Sequence, residues 1–211
     1  MKNYEFIIAG LPYLEPDFDN PVQDYESVSA QVFSYLDKKD RRYIEWLRYG
    51  LKSENLTPHF YRTIRKSSNH VLKTYFTFDL MLRNIQAAYL SRKQSLNPDK
   101  YLIGECEIVE ALKKNKAPDF GITSEVEFAS RLLHIFDIKD LIEREKALDL
   151  LRWEEMDKIC TFSYFSMDVI LSFIFKSSII KRWHSLDKKS GEQLFRGYVD
   201  QMRDSYKMTK E

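Results

Sequence analysis

Apolar residues return at helical spacing along almost the whole chain. Behind Asn20-Pro21, a capping residue followed by a first-turn proline, Tyr25, Val28, Val32, Tyr35 and Leu36 recur three and four apart and predict a helix over roughly 21–37. A short helix over about 40–49 ends at Gly50, a position that wants a residue tolerant of a left-handed backbone. Thr57-Pro58 repeats the cap-plus-proline start and opens a long helical stretch to about Ser91, closed by Asn97-Pro98. Further helices are expected over Leu102–Lys114, over Thr123–Phe136, where Ser124 and Glu127 have capping-box spacing, and over Leu141–Ile159. The last two span about 167–185 and 191–206, the final one opened by Ser190 with Gln193 three residues on. Only Tyr4–Ala9 reads as a strand candidate. The expected fold is therefore all-α, a helical repeat or bundle of about seven to eight helices with a short extended N-terminal segment. It forms one helical domain over 1–211, in which two pseudo-repeat lobes, about 21–97 and 98–211, can be drawn.

Two stretches inside that pattern share letters. YFTFDLMLRNIQAAYLSRK, from Tyr75 to Lys93, and YFSMDVILSFIFKSSIIKR, from Tyr164 to Arg182, both begin Tyr, Phe, Thr or Ser, an apolar residue and Asp. Leu82 then matches Leu171, Ile85 matches Ile174, and a basic pair closes each copy. Thr77 and Ser166 are expected to be N-caps, which puts Asp79 and Asp168 at the second helical position, facing the positive end of the macrodipole. Phe76 with Met81, and Phe165 with Ile170, then have the spacing of a hydrophobic staple. Arg83, Asn84 and Gln86 in the first copy stand where the second has Ser172, Phe173 and Phe175. The first copy is accordingly expected to face a partner and the second to fill the core.

Charge and composition narrow the function more than the fold. The 33 basic and 32 acidic residues leave a net charge of +1, so no field draws nucleic acid or an anionic membrane to the surface. Cys106 and Cys160 have neither zinc-site nor redox-pair spacing, which fits a reduced, cytoplasmic compartment. No signal-peptide apolar region follows Met1. The most apolar window, Phe162 to Ile180, contains Asp168 and Lys176, each costing about 3 kcal/mol at a bilayer centre. It reads as a buried core helix.

Candidate chemistry is sparse. His59, His70, His134 and His184 make no pairing at helical spacing that would bring two imidazoles to one metal. No glycine-rich phosphate loop occurs, so no nucleotide or other cofactor is expected. The run Asp37-Lys38-Lys39-Asp40-Arg41-Arg42 reads as a solvated turn, and the many glutamates as ion-paired surface. Arg152-Trp153 and Arg182-Trp183 stand out. Tryptophan beside a guanidinium suits an interface anchor and equally suits an indole closing the core at a helix end.

Phe78 to Asn84, followed by Arg92-Lys93, resembles a pattern recurring in the C subunit (eukaryotic d subunit) of V/A-type rotary ATPases, although the order here is Leu-Arg-Asn rather than Asn-Leu-Arg. Nearly the whole chain resembles an uncharacterised bacterial family encoded among V-type ATPase subunit genes. That resemblance rests on Tyr4 to Pro12, Leu82 to Asn84, Arg152-Trp153, and an aliphatic helix ending in Arg182-Trp183 with Gly191 shortly after. It implies a noncatalytic subunit or assembly partner, reaching the membrane only through other V/A-type ATPase subunits of the central stalk and membrane ring. Arg83, Asn84, Arg92, Lys93, Arg152, Trp153, Arg182 and Trp183 are the expected partner-binding residues. Two rivals stand beside it: a helical interaction adaptor unrelated to ATPases, and an enzyme whose site is assembled from residues far apart in the chain.

Overall fold

In the computed structural model, residues 4–18 and 25–186 are described; the expected helix over 191–206, the Asn20-Pro21 cap, Ser190 and Gly191 lie outside them. Among the described residues the fold is all-α, with nine α-helices, two short 3-10 turns and no strand. The helices are α1 (Tyr4–Ala9), α2 (Tyr25–Tyr35), α3 (Lys38–Gly50), α4 (Pro58–Ile64), α5 (His70–Lys93), α6 (Glu107–Lys114), α7 (Ala129–Phe136), α8 (Leu141–Cys160) and α9 (Met167–His184).

Helix α5 is the hub. It packs against α3, α4, α6, α7, α8 and α9 and buries residues on nearly every side, from Val71 and Leu72 through Leu82 and Ile85 to Ala88. Helix α9 is the second core helix, sheathed by α1, α2, α3 and α8, with Ile170, Leu171, Ile174 and Phe175 buried. The two meet where Tyr75 packs edge-on against Phe175, 4.6 Å between ring centroids. One hydrophobic cluster runs from Ile7 to Ile180, so helices from both halves of the chain build the same core. No described helix is long and apolar enough to cross a membrane.

Several local expectations are overturned. Tyr4–Ala9 is helical, not extended, because Ile7 is buried and the Tyr4 hydroxyl donates to Asp40 at 2.7 Å, contacts that override the β-propensity of Phe6, Ile7 and Ile8. The charge run after Asp37 is not a solvated turn. Asp37 caps α3 by accepting from the Asp40 amide, and Asp40 is buried under Tyr4. Gly50 is required for close approach, since a Cβ there would lie 2.3 Å from the Phe76 ring and 2.6 Å from Phe60. Its backbone is not left-handed; among the described glycines a positive φ belongs to Gly104 and Gly121.

The long stretch after Thr57 breaks at Arg65–Asn69. Asn69 restarts the chain as α5 by accepting from the Leu72 amide. Thr77 therefore lies in mid-helix, where its hydroxyl donates to the Lys73 carbonyl, and it caps nothing. Ser166 does cap α9, accepting from the Asp168 amide. The helix expected from Thr123 begins only at Ala129, and Ser124 and Glu127 form no capping box. Asp119 instead accepts from the Gly121 amide and the Thr123 hydroxyl and winds that stretch into turns.

Candidate functional site

The charged residues that the pattern scatters along α5, α8 and α9 converge inside the bundle. Asp149, buried on α8, accepts from Arg152 one turn later at 3.0 Å, from Arg182 near the end of α9, and from the Trp183 indole at 2.7 Å. Trp183 in turn stacks on Phe18 at 5.6 Å. One carboxylate thus ties α8, α9 and the segment after α1 together. Asp79, 2% exposed on α5, accepts from the Tyr61 hydroxyl at 2.9 Å and from Arg83 at 2.8 Å. Arg152 couples the two carboxylates: burial, the largest influence, pulls its pKa down, but Tyr75, Asp79 and Asp149 together hold it above its ordinary value. Burial, reinforced by Asp79, pushes the Tyr61 and Tyr75 phenols well above the ordinary tyrosine value.

This cluster is a satisfied network. Each oxygen of Asp149 has a cationic partner, and a second donor, Trp183, shares one of them; charge-assisted bonds of this kind offset the cost of burying ions. Its chemistry is positional, pinning α4 to α5 and α8 to α9. The remaining expected site residues divide in the same way. Asn84 is buried and grips the backbone of Ile103 twice, donating to its carbonyl at 2.9 Å and accepting from its amide at 3.0 Å. Arg92 reaches the carbonyls of Asn115 at 2.7 Å and Ala117 at 2.6 Å, with its guanidinium 3.7 Å from the Phe120 ring centroid. Trp153 is buried beneath the Lys176 ammonium.

Asn84 and Trp153 are therefore removed from the surface that a partner could touch. Arg83 and Arg182 keep part of the side chain in solvent, and Lys93 is exposed over the Tyr89 ring. Of the polar residues Arg83, Asn84 and Gln86 in the first repeated stretch, Asn84 is buried and the other two are half-buried. Tyr61 and Asp149 were not singled out from the sequence. A carboxylate one turn before Arg152 was a signal for Asp149; nothing local signals Tyr61.

The accessible apolar surface lies elsewhere. The turn between α8 and α9 carries Phe162, 88% exposed, with Tyr164 and Phe165 also exposed beside it. A groove of about 630 Å³ between α5, α7 and α8 has Phe78, Met81 and Phe128 on its floor. Arg131–Glu154 and Lys158–Glu127 ion pairs stand at its rim. Glu155, also on the rim, has its carboxyl raised by burial. Among the described residues no group of three or more His, Cys, Asp and Glu is placed to hold a metal.

The chain belongs to a family described as a protein of unknown function (DUF2764), whose model matches residues 52–206. No curated protein and no solved structure matches it.

Proposed function

We propose that this member of the family is a noncatalytic, C-like subunit or assembly partner of a V/A-type rotary ATPase, connecting soluble and membrane sectors through protein contacts. The observation that carries the reading is the order of the motifs, Tyr4 to Pro12, Leu82 to Asn84, Arg152-Trp153 and Arg182-Trp183, along an all-helical chain. Tyr4, Asn84, Arg182 and Trp183 all bond across elements, as a scaffold that keeps its shape under load requires. Contact with the other subunits falls to the exposed aromatic turn at Phe162, Tyr164 and Phe165, with Lys93 and the solvent edges of Arg83 and Arg182 as polar contributors. Aromatics held in the open by a rigid frame are the residue type that anchors protein interfaces.

Affinity purification of the chain from native membranes is the test. Recovery of ATPase A and B subunits is expected, reduced by the double substitution F162S/Y164S. A chain that never accompanies those subunits in detergent extracts defeats the reading. Recovery with partners outside any ATPase would make it the helical adaptor.

A further inference from the structure

A hollow of about 360 Å³ opens between the C-terminal half of α3 and α4, and three aromatic rings line it. Trp46 and Tyr49, one helical turn apart on α3, meet at 72° with their centroids 6.1 Å apart. Phe60 of α4 lies 6.1 Å from Trp46 and 5.8 Å from Tyr49, tilted 36° to each. Tyr49 is 49% exposed and Trp46 half-buried, while Phe60, 3% exposed, forms the floor. Two of the three rings are therefore open to solvent. The frame that holds them is already fixed: Gly50 lets α3 settle on Phe60, and Asn55 donates to the Tyr49 carbonyl at 2.9 Å.

Charge on the lining has one sign. Glu45 is exposed there, and beside it stand one imidazole, His59, and no lysine or arginine. Among the described residues Glu45 has no ion-pair partner. Elsewhere the chain supplies its rings with its own cations: Arg92 lies 3.7 Å from the Phe120 centroid, Lys93 4.5 Å from Tyr89 and Lys176 4.8 Å from Trp153. Among the described residues none stands over Trp46, Tyr49 or Phe60. Ring faces carry partial negative charge, so three rings and a free carboxylate together suit a cation brought from outside the chain.

We propose that this hollow binds a methylated ammonium, the trimethylated head that choline carries. A cation between two ring faces arranged as Trp46 and Tyr49 are lies roughly 4–5 Å from both centroids, inside the ~6 Å over which the attraction acts. Its methyl groups pack on the three rings, and Glu45 attracts its charge. Methylation matters because both threonine hydroxyls on the lining are engaged: Thr57 accepts from the Phe60 amide at 3.2 Å and Thr63 donates to the His59 carbonyl at 2.9 Å. A bare ammonium would leave N–H donors short of acceptors there, whereas a quaternary nitrogen has none to satisfy. The inference stands apart from the proposed ATPase role, because it uses neither the motif residues nor the aromatic turn.

Titration of choline with the full chain at about pH 8, where an ordinary imidazole is neutral, tests it by following the trimethylammonium proton resonance. Saturable binding with an upfield ring-current shift is expected, roughly tenfold tighter than for the neutral isostere 3,3-dimethyl-1-butanol or for unmethylated ethanolamine. Acetylated trimethyllysine amide, titrated in parallel, separates the two sources of such a head: the tighter ligand names either a free small molecule or a methylated protein side chain. Tyr49→Leu, which keeps an apolar residue and removes the ring, should weaken binding about tenfold, while Tyr49→Phe retains it. Glu45→Gln should weaken it and flatten its dependence on salt. Both positions are exposed, so unchanged melting temperatures are expected and separate lost binding from lost folding. The proposal is overturned if neither choline nor trimethyllysine amide shows saturable binding, if the neutral isostere or ethanolamine binds as tightly, or if Tyr49→Leu and Glu45→Gln both leave the affinity unchanged.

Discussion

The stretches starting at Tyr75 and Tyr164 share Tyr, Phe, a hydroxyl residue and Asp in order, yet the fold uses each letter oppositely. Phe76 is 1% exposed and lies in the ring cluster with Phe60 and Tyr75; Phe165 is 61% exposed on a turn. Thr77 back-bonds to its own helix, whereas Ser166 starts one. Asp79 is buried between Tyr61 and Arg83. Asp168 sits at the start of α9, where it accepts from Asn69, the cap of α5, at 3.1 Å. What separates the copies is the chain before them. Asn69 has already opened α5 when the chain reaches Tyr75, while Thr161–Ser163 has just ended α8 when it reaches Tyr164. A helix-opening motif opens a helix only where the preceding residues leave its amides unpaired.

The contrast can be broken residue by residue. Phe76→Ala should cost about 4 kcal/mol in urea unfolding, because it empties a filled core site, and Phe165→Ala less than about 0.5 kcal/mol. Equal losses would mean that the two copies are packed alike. Asp79→Ala should cost about 3 kcal/mol by leaving Tyr61 and Arg83 without their carboxylate. Asp168→Ala, at a helix start, should cost about 1 kcal/mol; a reversal of that order in chemical denaturation would show that Asp168 is the buried member.

Tyr75 gives the copies a pH signature. Its phenol and that of Tyr61 have folded pKa values raised above the ordinary value of 10.0. The unfolded chain therefore loses these protons first, so their contribution is complete below pH 10.0 and is lost as pH rises beyond it. Each still-protonated tyrosine should steepen the loss by at most about 1.4 kcal/mol per pH unit. Melting temperature followed across that range should fall less steeply in Tyr75→Phe than in the parent chain. The smallest contrast is between the hydroxyls. Ser166→Ala should cost about 1 kcal/mol through the lost cap, and Thr77→Ala close to nothing, as thermal unfolding would report.

The same distinction governs what could be read in advance. Helices α8 and α9 fall almost where the apolar periodicity places them, with Asp140 and Ser166 accepting from first-turn amides. Thr57 likewise caps α4. The candidate partner residues were legible as unusual but not in their roles. Arg152, Arg182 and Trp183 stand out as basic-tryptophan pairs, yet their common acceptor Asp149 lies 33 residues before Arg182 and carries no mark of its own beyond its spacing to Arg152. Asn84 reads as part of a polar helix face because its partner, the Ile103 backbone, belongs to a loop that no helical period describes.

The sequence by itself determined an all-helical chain, the caps at Thr57 and Ser166, and a core drawn from the apolar faces, because periodicity and capping act within one or two turns of backbone. Only the tertiary structure decided that Tyr4–Ala9 coils, that α5 buries Asn84 against a loop, and that Asp79 and Asp149 are core residues. A buried charge is tolerable only where partners meet it, and Tyr61, Arg182 and Trp183 reach those carboxylates from separate elements that come together when the bundle closes.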